Sequence, residues 1–420
     1  MTRSHWLAAP LAKDELHLAE NLVIYTVVHQ PRRLKLPAQV IPVGTSLDDL
    51  GPLLFDEAMD RRYFDQVAQA AYLPATAMFR DLTRRGWRMS IGFSNSFLVQ
   101  AEQWGGKVLD SFKRLCASPN VEVVCVEPYH SWLFYVDIVE FKESMLWAKR
   151  RLEDLFQKPV AVTDTTEMFM SNDVYFALQQ CGFTGALMEG RAWQMAWQDP
   201  THVFRYPGQN MALLARHHEL SDDVGYRFSN SGWGMWPLKP DRYAGWVRDC
   251  WGDLVTLGWD FETFGEHHRK DTGIFEFTRA LNTQLKKLKV RMMLPSEAIA
   301  ELDEPRYEIA VNEYGTTWAG EGGMEFFLGN PAQQGLFRLM HHAYSKARLT
   351  GDPRLIEIAR WLLQSDNLHL IQWFGRSGAA AEVSAYFTPD EWWELGAPGI
   401  IREQQRVYLN FIRALDEYAK

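Results

Sequence analysis

Five side chains able to move or hold a proton fall within nine residues: Asp260, Glu262, Glu266, His267 and His268. They follow an apolar run, Leu254 to Trp259, and precede a helical spacing of Ile274, Phe275, Phe277 and Leu281. The pattern reads as a buried strand, a polar turn and a helix. In α/β folds the turn at the C-terminal end of a strand is where sites are built. A second carboxylate has the same setting: Glu167 follows the apolar run Pro159 to Thr163. Neither Glu167 nor Asp260 has a Lys or Arg close by in sequence to neutralise it. Cleavage of a glycosidic bond needs such a pair on different strands. One carboxyl is protonated to assist the leaving oxygen, and the other is ionised to attack or to activate water. Taken singly, each is as readily a helix cap or a solvated strand end.

The elements that would position this pair recur along the chain. Leu22 to Val28 is a continuous apolar, β-branched run, as in a parallel strand buried on both faces, and Pro31 stops it. Further strands are expected over Arg88–Phe93, Val121–Val126, Pro159–Thr163, Thr184–Met188, Leu213–Arg216, Leu254–Asp260 and Leu288–Leu294. Helical spacing lies between them: Phe55–Tyr72, Ala75–Arg85, Phe97–Cys116, Phe141–Phe156, and a helix opened by Ser171 or Asn172 and closed at Gly182. Strands alternating with helices predict a parallel (β/α) barrel or a doubly wound sheet. The barrel is favoured because polar groups recur at several strand ends (His29, Glu127, Glu167, Glu189, Asp260), and a barrel brings all its strand ends to one mouth. No Gly-rich phosphate loop follows the first strand. After about residue 300 the pattern changes to a long loop and then helices, at Gly335–Leu349, Pro353–Leu368 and Gly399–Tyr418. A catalytic barrel over 1–300 and a helical C-terminal domain over 301–420 are expected.

Composition narrows the partners. The 420 residues carry a net charge of −9, which disfavours non-specific nucleic-acid binding. No window approaches the length of a membrane span. The first 22 residues carry acidic groups and lack the apolar centre of a signal peptide, so a cytoplasmic protein is expected. The four Cys show no metal spacing and read as buried thiols. The 17 Trp are many; most are expected in packing. Trp233 and Trp236 in a Gly-flanked loop, and Trp318, are candidates for stacking on sugar rings. A metal trio of His267, His268 and His29 is disfavoured, because adjacent His side chains project apart. No metal and no cofactor are expected, and the oligomeric state is not readable.

Four segments, in order, resemble the first four motifs of glycoside hydrolase family 57: "VVHQP" at 27–31, "PNVEVVCVEPYHS" at 119–131, "TDTTEMFMSND" at 163–173 and "WDFETFGEH" at 259–267. "ELSDDVGYRFSNSGW", "FFLGNPAQ" and "LLQSDNLHLI" extend the resemblance across nearly the whole chain, most closely to α-amylase-type members. The resemblance implies a retaining enzyme on an incomplete (β/α)7 barrel followed by a helical C-terminal domain. It makes Glu167 the nucleophile and Asp260 the general acid/base. It places His29 and Glu122 beside the nucleophile at the sugar subsite, with Glu262 and His267 as supporting or substrate-contacting groups. Arg32-Arg33-Leu34, Thr166 and Pro128 depart from the family's pattern and bear on the choice of acceptor.

The expected activity is retaining hydrolysis of α-1,4-glucan or maltooligosaccharide. Transfer of the glucosyl chain to another sugar, by an α-glucanotransferase or branching-type reaction, uses the same two carboxylates. A metal-dependent polysaccharide deacetylase is a weaker alternative, lacking an H-x-x-x-H pattern after a strand. A non-catalytic glucan-binding protein is weaker too, since both carboxylates are present.

Overall fold

A computed structural model describes residues 18–304 and 306–418. Most of the stretch weighed above as a signal peptide lies outside the described residues. Among the described residues ten strands form in chain order: β1 (Asn21–Val28), β2 (Met89–Phe93), β3 (Val121–Cys125), β4 (Val162–Thr163), β5 (Gly185–Glu189), β6 (Val203–Arg205), β7 (Ala212–Arg216), β8 (Leu254–Asp260), β9 (Arg291–Met293) and β10 (Tyr307–Glu308).

Seven of them, β1, β2, β3, β4, β5, β7 and β8, run parallel and pair in that order. The ring closes where β8 pairs β1 over Asn21↔Leu254 to Val27↔Asp260. β7 meets β8 at Arg216↔Thr256 alone, and β3 meets β4 at Cys125↔Thr163 alone, so these two seams are the thin points of the barrel. β6 lies antiparallel on β7, β10 extends it, and β9 takes the lower part of the β1 edge that β2 uses higher up. The architecture is the expected incomplete (β/α)7 barrel. The run Leu288–Leu294 shrinks to β9 because the preceding helix, Ile274–Lys287, extends to a cap at Leu288.

The two helices expected between Phe55 and Arg85 are one continuous helical run, Glu57 to Arg84, widened at Ala68–Tyr72 into a π-turn. Pro74 has no N–H for the carbonyl of Ala70, and a widened turn accommodates that loss. Against this carbonyl passes Gly265, at φ 124°, where a Cβ would lie 2.0 Å from the Ala70 oxygen. Only glycine fits both the backbone angle and the approach.

Beyond the barrel, helices Pro331–Thr350, Pro353–Leu362 and Gly396–Tyr418 form the helical region. Asn330 and Gln333 cap the first of these reciprocally. One apolar core runs from the helices around the barrel into this region, with Trp132 edge-on to Phe327 at 4.7 Å. No helix of the described residues is long and apolar enough to cross a membrane.

A second, smaller cluster fills the barrel itself, with Val23, Tyr25, Val27, Val124, Leu187 and Leu214 among its members. Their alternation fixes which residues face inward. Continuing the same period to the upper ends of the strands brings His29, Ser94, Asp164, Glu189, Arg216 and Asp260 to the inside of the mouth.

Candidate active site

Glu167 follows β4 in a one-turn 3-10 segment, Thr166–Met168. Glu167 and Met168 both have positive φ, 58° and 52°. Two successive side-chain-bearing residues in the left-handed region are costly, and such strain is held only by surrounding structure. Here the clamp is the long loop before the C-terminal helices. Met170 and Thr316 exchange two backbone hydrogen bonds of 2.9 Å, and the Trp318 N–H donates to the Glu167 carbonyl at 3.1 Å. The Trp318 indole Nε1 then donates to Glu167 Oε2 at 2.7 Å. It is the carboxylate's one hydrogen-bond donor among the described residues. Burial, against which the indole bond works, raises the Glu167 pKa to about 8, with the charges of Asp366, Asp260 and Asp164 adding to the rise.

Asp260 closes β8 and makes no side-chain hydrogen bond to a described residue. Burial pushes its carboxyl to about 6, while His29 and Arg216 pull it down. Arg216 is itself engaged: it donates to Glu189 at 2.9 Å, to Asp222 at 2.6 Å and to the Gly258 carbonyl at 3.0 Å. Its charge is thereby shared among anions rather than spent on either mouth carboxylate. Asp164, at the end of β4, accepts from the Tyr25 hydroxyl at 2.7 Å, and burial raises it to about 7. Glu262 lies deeper. It accepts the Tyr72 hydroxyl from the π-turn and the backbone N–H of His29, and burial raises it to about 8. Tyr72 also takes the Gln30 amide at 2.9 Å. Glu262 therefore fixes the turn that carries His29.

The His29 and His130 rings stack at 4.0 Å with 18° between their planes. Each has one nitrogen on a serine: His29 Nδ1 on Ser94 Oγ at 2.8 Å, His130 Nδ1 on Ser365 Oγ at 2.9 Å. His29 Nε2 lies 3.1 Å from Asp366 of the C-terminal region. His130 Nδ1 lies 4.0 Å from Glu167 Oε1. Burial holds the His130 pKa well below its ordinary value. Burial alone would raise Asp366, but the charge and hydrogen bond of His29, with His130 and His369, outweigh it and keep that carboxyl low. His130 stands in a tight turn, φ 52°, braced by Glu127, whose carboxylate accepts from the Ser131 N–H at 2.6 Å. His29, His130 and Asp366 each offer a metal-ligand atom within 4.8 Å of the others. Stacked rings do not converge their lone pairs on one point, and His29 Nε2 is already taken by Asp366. The trio is built as a hydrogen-bonded bracket.

The sequence candidates divide accordingly. Glu167, Asp260, His29, Glu262 and Trp318 come together. Trp318 does so as a hydrogen-bond donor rather than through its face alone, although Arg216 lies over its ring at 5.5 Å. Glu122 does not join them. It faces into the barrel near the start of β3, at the end away from the mouth. There it accepts from Ser296 N at 3.0 Å and Ser296 Oγ at 2.8 Å, at the N-terminus of helix Pro295–Glu301. A place beside the nucleophile is corrected to a place at the barrel floor. His267 is half-buried against Phe387 of the C-terminal region, ring centres 5.7 Å apart. His268, placed by the sequence in the polar turn after the strand, is buried and bonded to Ser229 Oγ at 2.7 Å and the Gly225 carbonyl at 3.2 Å. Trp233 packs edge-on to Trp246 under Arg227, and Trp236 is half exposed in the same loop. Their partners belong to the segment after β7, not to the carboxylate pair.

Sequence reasoning missed His130, Asp366 and Asp164. His130 stands five residues past the end of β3, beyond Glu127, which is the group that the strand-end rule returned there. Asp164 lies on the inward period of β4. Asp366 lies within "LLQSDNLHLI" but has no strand-end or period signal: it is one acid in a helical stretch, brought to the mouth by tertiary packing.

The sequence profile of glycosyl hydrolase family 57 matches residues 23–312. A curated protein of Methanocaldococcus jannaschii named "Putative alpha-amylase" is 29% identical over 355 residues, 81% of this chain and 74% of that protein. Among solved structures, a branching enzyme of this family type from Pyrococcus horikoshii superposes with a TM-score of 0.62 at 13% identity, covering 95% of this chain and 96% of that one. A 4-alpha-glucanotransferase from Thermococcus litoralis gives 0.62 at 13% identity over 85% of this chain, which spans 59% of that protein's length. An alpha-amylase from Thermotoga maritima gives 0.56 at 11% identity, covering 96% and 99%. At these identities the superpositions speak for the fold, whereas the profile match covers well over half of the sequence. The chain belongs to glycosyl hydrolase family 57 and is an enzyme that acts on glycosidic bonds.

Proposed function

We propose that the enzyme cleaves α-1,4-glucan by a retaining double displacement, with Glu167 as nucleophile and Asp260 as acid/base. The observation that carries this reading is the mouth itself. Two carboxylates face it from different strand ends, neither paired to a cation, and one is held in a strained turn by an indole N–H. Glu167 attacks the anomeric carbon and forms a glycosyl-enzyme, while Asp260 gives its proton to the departing oxygen. Water, or a sugar hydroxyl, then gives its proton to Asp260 and releases the glycosyl group.

Proton allocation follows from the two environments. Burial raises both groups, so near neutral pH the pair carries about one proton between them. In the free enzyme that proton rests on Glu167, the more strongly raised of the two. Chemistry needs it on Asp260. A leaving oxygen at Asp260 accepts its hydrogen, and the developing positive charge at the anomeric carbon favours an ionised Glu167, so substrate itself moves the proton to the working side. Once Glu167 is an ester its charge is gone, the Asp260 pKa falls, and Asp260 becomes the base of the second step.

Hydrolysis and transfer differ only in the acceptor, and relatives in the comparison carry amylase, branching-enzyme and glucanotransferase names. Product analysis on maltooligosaccharides separates them: shorter sugars alone mean hydrolysis, longer ones beside them mean transfer. Glu167→Ala tests the mechanism. Turnover is lost, and azide restores part of it as a glycosyl azide; wild-type rates in this variant overturn the reading. The residue types of the His29–His130–Asp366 bracket favour one competitor, a metal-dependent deacetylase. Activity on acetylated sugar that vanishes on chelation and returns with zinc would replace the glycosidase reading.

A further inference from the structure

A cavity of about 570 Å³ opens outside the barrel, beside the mouth rather than in it. Its walls come from the helices that follow β2 and β3 and from helix Pro353–Leu362. Three indoles line it, Trp104, Trp147 and Trp361, and Trp147 is 39% exposed. A shallower groove continues past Trp147 and Arg151 along the same helix. The volume lies in the range of small-ligand sites.

The chemistry of the walls selects a class of ligand. Most of the charges are engaged within the protein. Arg151 donates to Glu102 at 2.8 Å, Asp60 holds Arg33 at 3.2 Å, and Glu357 accepts from the Tyr129 hydroxyl at 2.6 Å and from Arg360 at 3.3 Å. Among the described residues Arg32 and Glu57 have no ion-pair partner; Arg32 lies over the Phe55 and Trp361 rings and Glu57 accepts from the Gln103 amide, which leaves both able to meet hydroxyls. What remains is aromatic faces interleaved with amide groups. Asn95 and Gln100, both more than nine-tenths buried in the wall, leave their side-chain carbonyl oxygens without a hydrogen-bond partner. Flat apolar faces beside planar hydrogen-bonding groups match a neutral sugar, which has apolar ring faces and an equatorial rim of hydroxyls.

We propose that this cavity is a second carbohydrate-binding site, one that holds an α-linked glucan chain beside the mouth while another stretch of it is cut. The choice of α-linkage rests on the function proposed above. The site is mechanically continuous with the active site. Gln100 Nε2 donates to the carbonyls of Gln30 and Pro31 at 3.3 and 3.0 Å, and Ser96 Oγ to that of Gln30 at 2.5 Å. The cavity wall is thus fastened to the turn that bears His29. A polymer held here raises the local concentration of its own cleavable bonds at the mouth. A short oligomer that fills only the mouth gains nothing.

The test uses the full chain and two probes, maltotriose and maltoheptaose. In a Glu167→Gln background, which does not consume the sugar, calorimetric titration with maltoheptaose is expected to need two sites. Trp147→Ala removes one of them. In the catalytically intact chain Trp147→Ala leaves kcat/KM on maltotriose unchanged and raises KM on long glucan about three- to tenfold, the loss of one stacking contact. Val99→Trp, which fills the cavity from an exposed lining position, produces the same split and guards against misfolding of the first variant. One-site binding indifferent to both substitutions overturns the proposal, as does an equal loss on both sugars. If the wild-type chain turns over no α-glucan yet binds maltoheptaose in a Trp147-dependent way, the cavity stands and the functional reading falls.

Discussion

Replacing Trp318 by Phe removes one N–H and keeps an aromatic ring where Arg216 lies. That N–H is the only donor reaching the Glu167 carboxylate among the described residues, at 2.7 Å. A hydrogen bond to a charged group is worth about 1.5–3 kcal/mol, and one pKa unit corresponds to about 1.4 kcal/mol. The bond favours the ionised form, so its loss raises a carboxyl already pushed by burial to about 8. The expected further rise is about one to two units. The sign on activity follows. A nucleophile must be ionised and the acid protonated. Glu167, at about 8, lies above Asp260, at about 6, so the acid limb of the pH profile of kcat/KM reports Asp260 and the alkaline limb reports Glu167. The alkaline limb moves up by the same one to two units, and the acid limb stays in place. The form with Glu167 ionised and Asp260 protonated becomes scarcer, so the plateau between the limbs falls about ten- to a hundredfold. Initial rates on a maltooligosaccharide, at constant ionic strength from about pH 4 to pH 11, measure this. A melting curve of the variant checks that the fold is retained. An alkaline limb that stays in place or moves down, with an undiminished plateau, refutes the assignment of Trp318 as the donor that tunes Glu167. A rise in KM alone, with an unmoved profile, makes its face the functional part.

Asp366→Asn removes the anion on His29 without changing shape; kcat/KM is expected to drop about ten- to a hundredfold with little change in melting temperature, and undiminished turnover would remove the bracket from the mechanism. Glu122→Ala deletes the acceptor for the Ser296 backbone and hydroxyl; thermal denaturation should show a loss of about 1–2 kcal/mol with kcat/KM preserved, whereas a dead enzyme of normal stability would return Glu122 to the sugar subsite.

The barrel was legible because seven of its strands carry an apolar run long enough to read, and a polar residue marks the end of most of them. β6 and β10, three and two residues long, have no period to detect. The positions of Glu167 and Asp260 at a common mouth could be read from those ends alone. Glu122 shows the limit of matching a motif without placing it on its strand. It lies on the inward period of β3, but near the first residue rather than beyond the last, and three residues of strand separate floor from mouth. His268 looked like a solvated turn residue. It is covered because the segment after β7 folds over it, a long-range event with no local trace. The strain at Glu167 is equally invisible in "TTEMF". It exists because a loop about 150 residues later grips the turn, and propensity has no term for a distant clamp.

That the bracket draws Asp366 and Ser365 from beyond the barrel bears on when the enzyme becomes active. Chains emerge and fold from the N-terminus. All seven barrel strands, with Glu167 and Asp260, are out before residue 300, but His29 and His130 then lack the acid and one of the two hydroxyls that hold them. The proposed catalytic pair thus exists before the groups that hold His29 and His130. A nascent chain, or one clipped between barrel and helices, carries the carboxylates of a glycosidase in an idle mouth. If the proposed bracket is needed for turnover, competence arrives with the docking of the C-terminal helices, and the active site reports on completed tertiary assembly.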